Sequence, residues 1–220
     1  MLTVHHLENS RSQRVLWLLE ELRVPYDLKI YKRDANLLAP AQLKKIHPLG
    51  KAPIIVTQDG QAIAETGAIM DYVLHEYEGL GLVPSAKTRS RTQFTYWMFY
   101  AEGSAMTPLL LKLIADRIRA KTPWFARPVA SRIADTLEAT LIRPNVKANI
   151  DFWEDSLKTT GWFAGDHFTA ADIMMSFPVE TAAHRAGAGK KEHVRQWLDR
   201  IHARPAYQRA LERGGPYVYA

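Results

Sequence analysis

The sequence of 220 residues predicts an α/β domain with a mixed four-stranded sheet, followed by an all-helical domain. Three observations carry that expectation. Strand and helix patterns alternate at the start of the chain, and strand patterns all but vanish further on. Asp59-Gly60, a strong two-residue hairpin signal, separates two short apolar runs. The stretch Glu78–Ala86 carries glycines and a proline that break both periodicities where the pattern changes. The boundaries expected are a first domain over 1–79, a linker over 80–87 and a helical domain over 88–220.

Each element has its own reason. Leu2–Leu7 is a short apolar run with β-branched residues, a strand. Val15, Leu16, Leu18, Leu19 and Leu22 recur with helical period over Arg14–Leu22. Val24-Pro25 stops that helix, since proline lacks the donor and clashes with the preceding turn. Tyr26–Tyr31 alternates as a second strand. Pro40–His47 reads as a short helix ended by His47-Pro48-Leu49-Gly50. Ala52–Thr57 and Gln61–Ala64 are strands joined at Asp59-Gly60, and Thr66–Tyr77 is helical. A crossover helix favours parallel pairing and a two-residue turn forces antiparallel pairing, hence a mixed sheet. Helices are expected at Ser90–Ala120, Arg127–Leu141, Val146–Thr159, Ala170–Arg185 and Glu192–Ala203.

Composition bounds the chemistry. Apolar residues make up 47% and charged residues 24%, a globular balance that leaves no room for long disorder. There is no cysteine, so disulfides, thiolate metal sites and cysteine nucleophiles are excluded, and any thiol must arrive on a substrate. No metal is expected. The net charge of +6 is spread along the chain instead of forming one stripe, which argues against a nucleic-acid partner and leaves a mild attraction for small anions. No run approaches the roughly 20 apolar residues of a membrane span, and the opening residues lack the basic and apolar regions of a secretory signal. The expected location is the cytoplasm.

Four places carry candidate chemistry. Ser10 follows the first strand at the mouth of the first helix, where unpaired amides and the helix dipole favour an anion. A hydroxyl there can donate to a thiolate and lower the thiol's pKa, although Ser10 or Ser12 can equally cap the helix with no substrate present. Ala52-Pro53, just after the Gly50 turn, is a place where a cis bond often sits, and it would turn the Ala52 backbone toward an extended ligand. An ordinary trans proline opening an edge strand fits the same residues. Glu65-Thr66 ends a strand and begins a helix: the Thr66 amide suits a carboxylate, Glu65 suits an ammonium, and helix capping alone is the alternative. Lys51 suits a second carboxylate. Together these describe a site for a tripeptide with one ammonium, two carboxylates and one thiol.

This arrangement resembles the glutathione S-transferase family. The resemblance rests on Ser10 between strand and helix, His47-Pro48-Leu49-Gly50-Lys51-Ala52-Pro53, Ala64-Glu65-Thr66, and Thr169-Ala170-Ala171-Asp172 between Phe168 and Ile173. It is sharpest to the yeast-type subgroup, through Tyr31–Asn36, Leu43–Gly50 and Met175-Ser176-Phe177-Pro178, and spans nearly the whole chain. It implies a thioredoxin-like first domain, a homodimer, and glutathione as co-substrate to a small hydrophobic electrophile. It also implies roles: Ser10 on the sulfur, Lys51 near the glycine carboxylate, Ala52 pairing through its backbone, Pro53 as cis-proline, Glu65 and Thr66 on the γ-glutamyl end. Thr169 and Asp172 would cap a buried helix reciprocally. His47 stands where asparagine is usual, Thr66 where serine is usual. A one-residue shift would bring Asn9 or Ser12 to the sulfur instead of Ser10.

Free thiols titrate near 8.5, so few are ionised at neutral pH. A hydrogen bond from Ser10 plus the helix dipole can lower that value by roughly two units, about 3 kcal/mol. The thiolate would then attack an electrophile or reduce a hydroperoxide. Tyr100, Ser104 and Thr107 share one helical face at i, i+4 and i+7 and are the candidate electrophile pocket, although an aromatic stripe also suits a core or a dimer interface. The rival reading is a non-enzymatic binding or assembly protein on the same fold.

Overall fold

The computed structural model describes residues 1–34, 38–77 and 81–220. Ala35 and Asn36 of the subgroup stretch and Glu78–Leu80 of the expected linker lie outside the described residues.

The first part holds the expected mixed sheet, in the order β2-β1-β3-β4. β1 (Leu2–Leu7) lies at its centre, parallel to β2 (Tyr26–Tyr31) and antiparallel to β3 (Ile54–Val56), which pairs in turn with β4 (Ala62–Ala64). The central place explains why even His5 and His6 are buried: both faces of β1 are covered. The strand expected over Ala52–Thr57 is shorter, Ile54–Val56, and the Ala52–Pro53 peptide before it is cis. The helix expected over Pro40–His47 is a single 3-10 turn, Ala41–Lys45.

α1 (Gln13–Leu22) is buried from Gln13 through Glu20, too completely for one covered face. Besides α2 (Thr66–Glu76) of the first part it packs against α7 (Ala170–Ala186) and α9 (Pro205–Gly214) of the helical part, and so serves both halves. Glu20 and Glu21 extend the joint, taking Arg209, Arg213 and Arg204. α2 (Thr66–Glu76) completes the first part.

The helical part begins as one rod, α3 (Arg89–Tyr100) and α4 (Met106–Lys121), joined by a π-turn over Ala101–Ala105. A second π-turn, Glu138–Ile142, joins α5 (Arg127–Leu137) to α6 (Arg143–Thr160), where sequence periodicity suggests two separate helices. α7 is central, buried from Ala170 to Ala182. Its start is fixed by the expected capping box: Asp172 accepts the Thr169 amide at 2.9 Å, and Thr169 Oγ1 accepts from Ala171. Asp172 also accepts from the Phe163 amide and the Trp197 indole, so this buried carboxylate ties three elements together. α8 (Glu192–His202) agrees with the sequence pattern. α9 is an element the periodicity does not mark, although Pro205 at its first turn is a start signal.

Candidate functional site

The turn between β1 and α1 is held by side chains more than by a helix cap. Ser12 sits at the N-cap but makes no capping bond. Its hydroxyl instead meets His6 Nδ1 at 2.8 Å, Ser10 Oγ at 2.7 Å, and the Leu7 amide and carbonyl at 3.1 Å. Burial lowers the His6 pKa to about 4, against the opposing pull of a hydrogen bond to the Gly214 backbone, so the ring is neutral at pH 7. One nitrogen donates to the Gly214 carbonyl, which leaves Nδ1 bare. A bare buried acceptor needs a donor, and Ser12 O–H is the one in reach. Ser10 Oγ therefore faces Ser12 as donor while accepting the Ser12 amide at 3.2 Å. Asn9, at φ 52°, takes a left-handed conformation that asparagine tolerates, and its Oδ1 accepts from Val218 at 2.8 Å.

Beside this turn lies a cleft of about 100 Å³, lined by Lys51, Ala52, Pro53, Glu65 and Thr66 together with Arg11, His47, Leu49, Ala64 and Glu102. Gly50 shapes its rim. It has φ +58°, and a Cβ there would come within 2.6 Å of Lys44 Cγ, so the bend that presents Lys51 suits glycine. Glu65 is the N-cap of α2 at φ 70°, ψ 125°, a conformation that costs a residue with a side chain free energy. Thr66 is then the first helical residue, not the cap, and its amide is one of those a helix leaves unpaired.

The wall opposite comes from the helical part. Arg14 is fully buried in α1 and donates to Glu102 at 2.5 Å, to Thr66 Oγ1 at 3.3 Å and to the Met174 carbonyl at 2.8 Å. That carbonyl is available because Pro178, four residues on in α7, has no amide to reach it. Thr66 Oγ1 accepts from Arg14 and so ties the start of α2 to α1. Arg11 reaches the second Glu102 oxygen at 3.3 Å. Burial pushes the Glu102 carboxyl up, but the charges of Arg14 and Arg11 outweigh it and the net shift is downward. The cleft thus combines fixed cations and anions in a small space. Among the described residues no group of three His, Asp or Glu side chains is placed to hold a metal ion.

The sequence profile of the glutathione S-transferase N-terminal domain matches residues 10–76, and that of the C-terminal domain matches 122–213. Glutathione S-transferase 1 of Saccharomyces cerevisiae is 34% identical over 222 residues, covering 97% of this chain and 95% of its own. The chain belongs to the glutathione S-transferase family. Among solved structures similar to this transferase, a glutathione S-transferase from Actinobacillus pleuropneumoniae has a TM-score of 0.81 at 30% identity, covering 99% of this chain and 94% of its own. A glutathione transferase homologue from Sulfitobacter, solved with bound glutathione, shares the fold with a TM-score of 0.75 at 20% identity, over 97% and 98% of the two chains.

Of the residues this transferase's sequence singled out, Lys51, Ala52, Pro53, Glu65 and Thr66 meet in the cleft. Ser10 is 5% exposed and adjoins it through Arg11, without lining it itself. Tyr100, Ser104 and Thr107 lie outside this cleft, and Asn149 links the first two by accepting from the Tyr100 hydroxyl and donating to the Ser104 carbonyl. The π-turn at Ala101–Ala105 inserts a residue into the helical repeat, so Tyr100 is buried while Ser104 and Thr107 are exposed. The Tyr100 hydroxyl donates to Asn149 at 2.6 Å, and burial first of all lifts its pKa to about 12. Sequence reasoning missed Arg11, Arg14 and Glu102. The one available signal was Glu102, a lone acid in the otherwise aromatic and small stretch from Phe94 to Thr107. Among the described residues, no helix is long and apolar enough to cross a membrane.

Proposed function

We propose that this chain is a serine-type glutathione transferase of the yeast-type subgroup that takes glutathione as co-substrate and activates its thiol with Ser10. The single observation that carries the assignment to Ser10 is the state of its neighbours. Ser12 holds its one proton within a four-partner knot with His6, Ser10 and both Leu7 backbone groups. The Ser10 proton goes only to Ser12, which also accepts from the Leu7 amide, so Ser10 is the hydroxyl that can turn its donor to a thiolate. Lys51 serves the glycine carboxylate, the Ala52 backbone the cysteinyl unit beside Pro53, and Glu65 with Thr66 the γ-glutamyl end. The zwitterionic lining of the cleft suits such a ligand. On binding, the Ser10 hydroxyl trades Ser12 for sulfur and stabilises the thiolate, and the thiol's proton leaves to solvent. The sulfur then forms a bond to a small hydrophobic electrophile, whose leaving group departs with the electron pair, or attacks a peroxide oxygen. In the second case the O–O bond breaks and the alkoxide leaves, takes a proton from water and departs as the alcohol, while the glutathione sulfur is oxidised to the sulfenic acid.

The reading also takes the protein to be a cytoplasmic homodimer, with domains at 1–79 and 88–220 joined by 80–87. A groove of about 910 Å³ between α2 and α3, edged by Tyr77, Met98 and the 77%-exposed Phe99, supports a face for a second copy.

The test is a titration of bound glutathione by thiolate absorbance. A pKa about two units below the free value of about 8.5 is expected, returning toward 8.5 in Ser10→Ala. An equally lowered pKa in both proteins would move the role away from Ser10. No binding at millimolar glutathione would leave the non-enzymatic reading in its place.

A further inference from the structure

The last residue of α9, Gly214, and the chain beyond it fold back over the turn that carries Ser10 and hold it from two sides. On one side the Gly214 carbonyl accepts from His6, whose Nδ1 in turn takes the Ser12 hydroxyl facing Ser10. On the other, the Val218 amide donates to Asn9, the residue before Ser10. Between them Tyr217 donates to Glu180 at 2.5 Å. Glu180 is 1% exposed in the middle of α7, and it also accepts from Tyr207 at 2.7 Å and meets His202 at 3.1 Å. Tyr219 closes the run, its hydroxyl accepting from Arg185 and its ring standing edge-on to Phe177 and Tyr217.

The two ties differ in what they offer the fold. Glu180 is a buried carboxylate, and its three donors offset a desolvation cost that would otherwise be large. The tie from Val218 to Asn9 lies at an exposed position, where water would satisfy both groups almost as well. Its consequence is therefore positional: it restrains a left-handed residue next to Ser10. Position matters there, because a hydrogen bond to a thiolate is directional, and about 1 Å of misplacement can cost on the order of a hundredfold in rate.

We propose that residues 214–218 are a positioning brace for Ser10, in which Tyr217, anchored on Glu180, sets the Val218 amide on Asn9, while Gly214 fixes the other flank through His6 and Ser12. The brace rests on the assignment of the thiolate to Ser10. Tyr217, Asn9 and His6 touch neither sulfur nor electrophile, and act by holding the hydroxyl where the sulfur arrives.

Two variants test it. Tyr217→Phe removes one hydroxyl and keeps the ring, and Asn9→Gly removes the acceptor while keeping the left-handed backbone. Each is measured in the full chain for the thiol pKa of bound glutathione, for kcat and KM, and for thermal midpoint. Each is expected to raise the bound-thiol pKa by about one unit, a tenfold loss of thiolate relative to thiol. The KM for glutathione should stay within about twofold, because the cleft contacts are untouched. The double variant should be no worse than the more severe single one, since both cut the same tie. A lowered wild-type pKa that neither variant raises would overturn the brace and leave Ser10 standing. A wild-type pKa near 8.5 would remove the Ser10 reading first. Asn9→Gly lies at the surface, so it still decides the matter if Tyr217→Phe destabilises the protein.

Discussion

Glu102 is the residue whose loss the protein should feel most at the seam of the cleft. It faces a guanidinium, Arg14, that is wholly buried and cannot discharge. Removing one partner of such a pair leaves a buried charge uncompensated; because Glu102 is partly exposed, Glu102→Gln should cost about 2–3 kcal/mol, below the full range for deep pairs. Urea denaturation at pH 7 reads this directly. The pH dependence has a definite sign. The folded carboxyl titrates below the ordinary 4.5, so its contribution is complete above about pH 4.5 and is lost as the pH falls through the lower folded value. The gap between wild type and variant should therefore narrow on acidification. A constant gap would place the stabilisation outside the ion pair.

At the scale of elements, α9 approaches α1 through a glycine. A Cβ on Gly214 would come within 2.8 Å of Leu16 Cδ1, 2.9 Å of Gln13 Oε1 and 3.3 Å of His6 Nε2. Those atoms belong to a packed helix and a buried strand, so they cannot simply swing away. Gly214→Ala should lower stability by about 1–3 kcal/mol, read as a fall in the urea midpoint at unchanged slope. Gly103 in the π-turn is the contrast, with nothing within 4 Å of the place a methyl would take. Gly103→Ala should be neutral or stabilising by up to about 1 kcal/mol. Equal losses in both would mean that backbone freedom, not packing, sets the cost. The two π-turns show why helical spacing misled at this scale. Periodicity locates Arg89–Lys121 as helix well, but the π-turn shifts the phase of everything beyond it, so that Tyr100 is buried while Ser104 and Thr107 are exposed.

For the whole molecule, α1 is shared between α2 of the first part and α7 and α9 of the helical part, and Phe99, at the edge of the groove between α2 and α3, is 77% exposed. An exposed aromatic edging a large groove is the kind of anchor that fills a partner's pocket. If the proposed homodimer forms through this face, Phe99→Glu should convert it to a monomer in sedimentation velocity at micromolar concentration, with the far-ultraviolet circular dichroism unchanged. A dimer that survives this change would move the interface elsewhere on the surface.

By itself the sequence determined the class of fold, the strand order's mixed character and most element positions, because periodicity, proline, Asp59-Gly60 and the Thr169–Asp172 cap act over a few residues. It also marked Lys51, Ala52, Pro53, Glu65 and Thr66, which meet in the cleft, since each lies at the end of a strand or the start of a helix where local chemistry is legible. Tertiary structure alone decided the rest. Arg14 meets Glu102 and Met174 across 88 and 160 residues, and the Asn9 turn meets Val218 across 209. No local pattern encodes such meetings: a buried charge or a bare carbonyl names no partner until helices pack and one comes within reach.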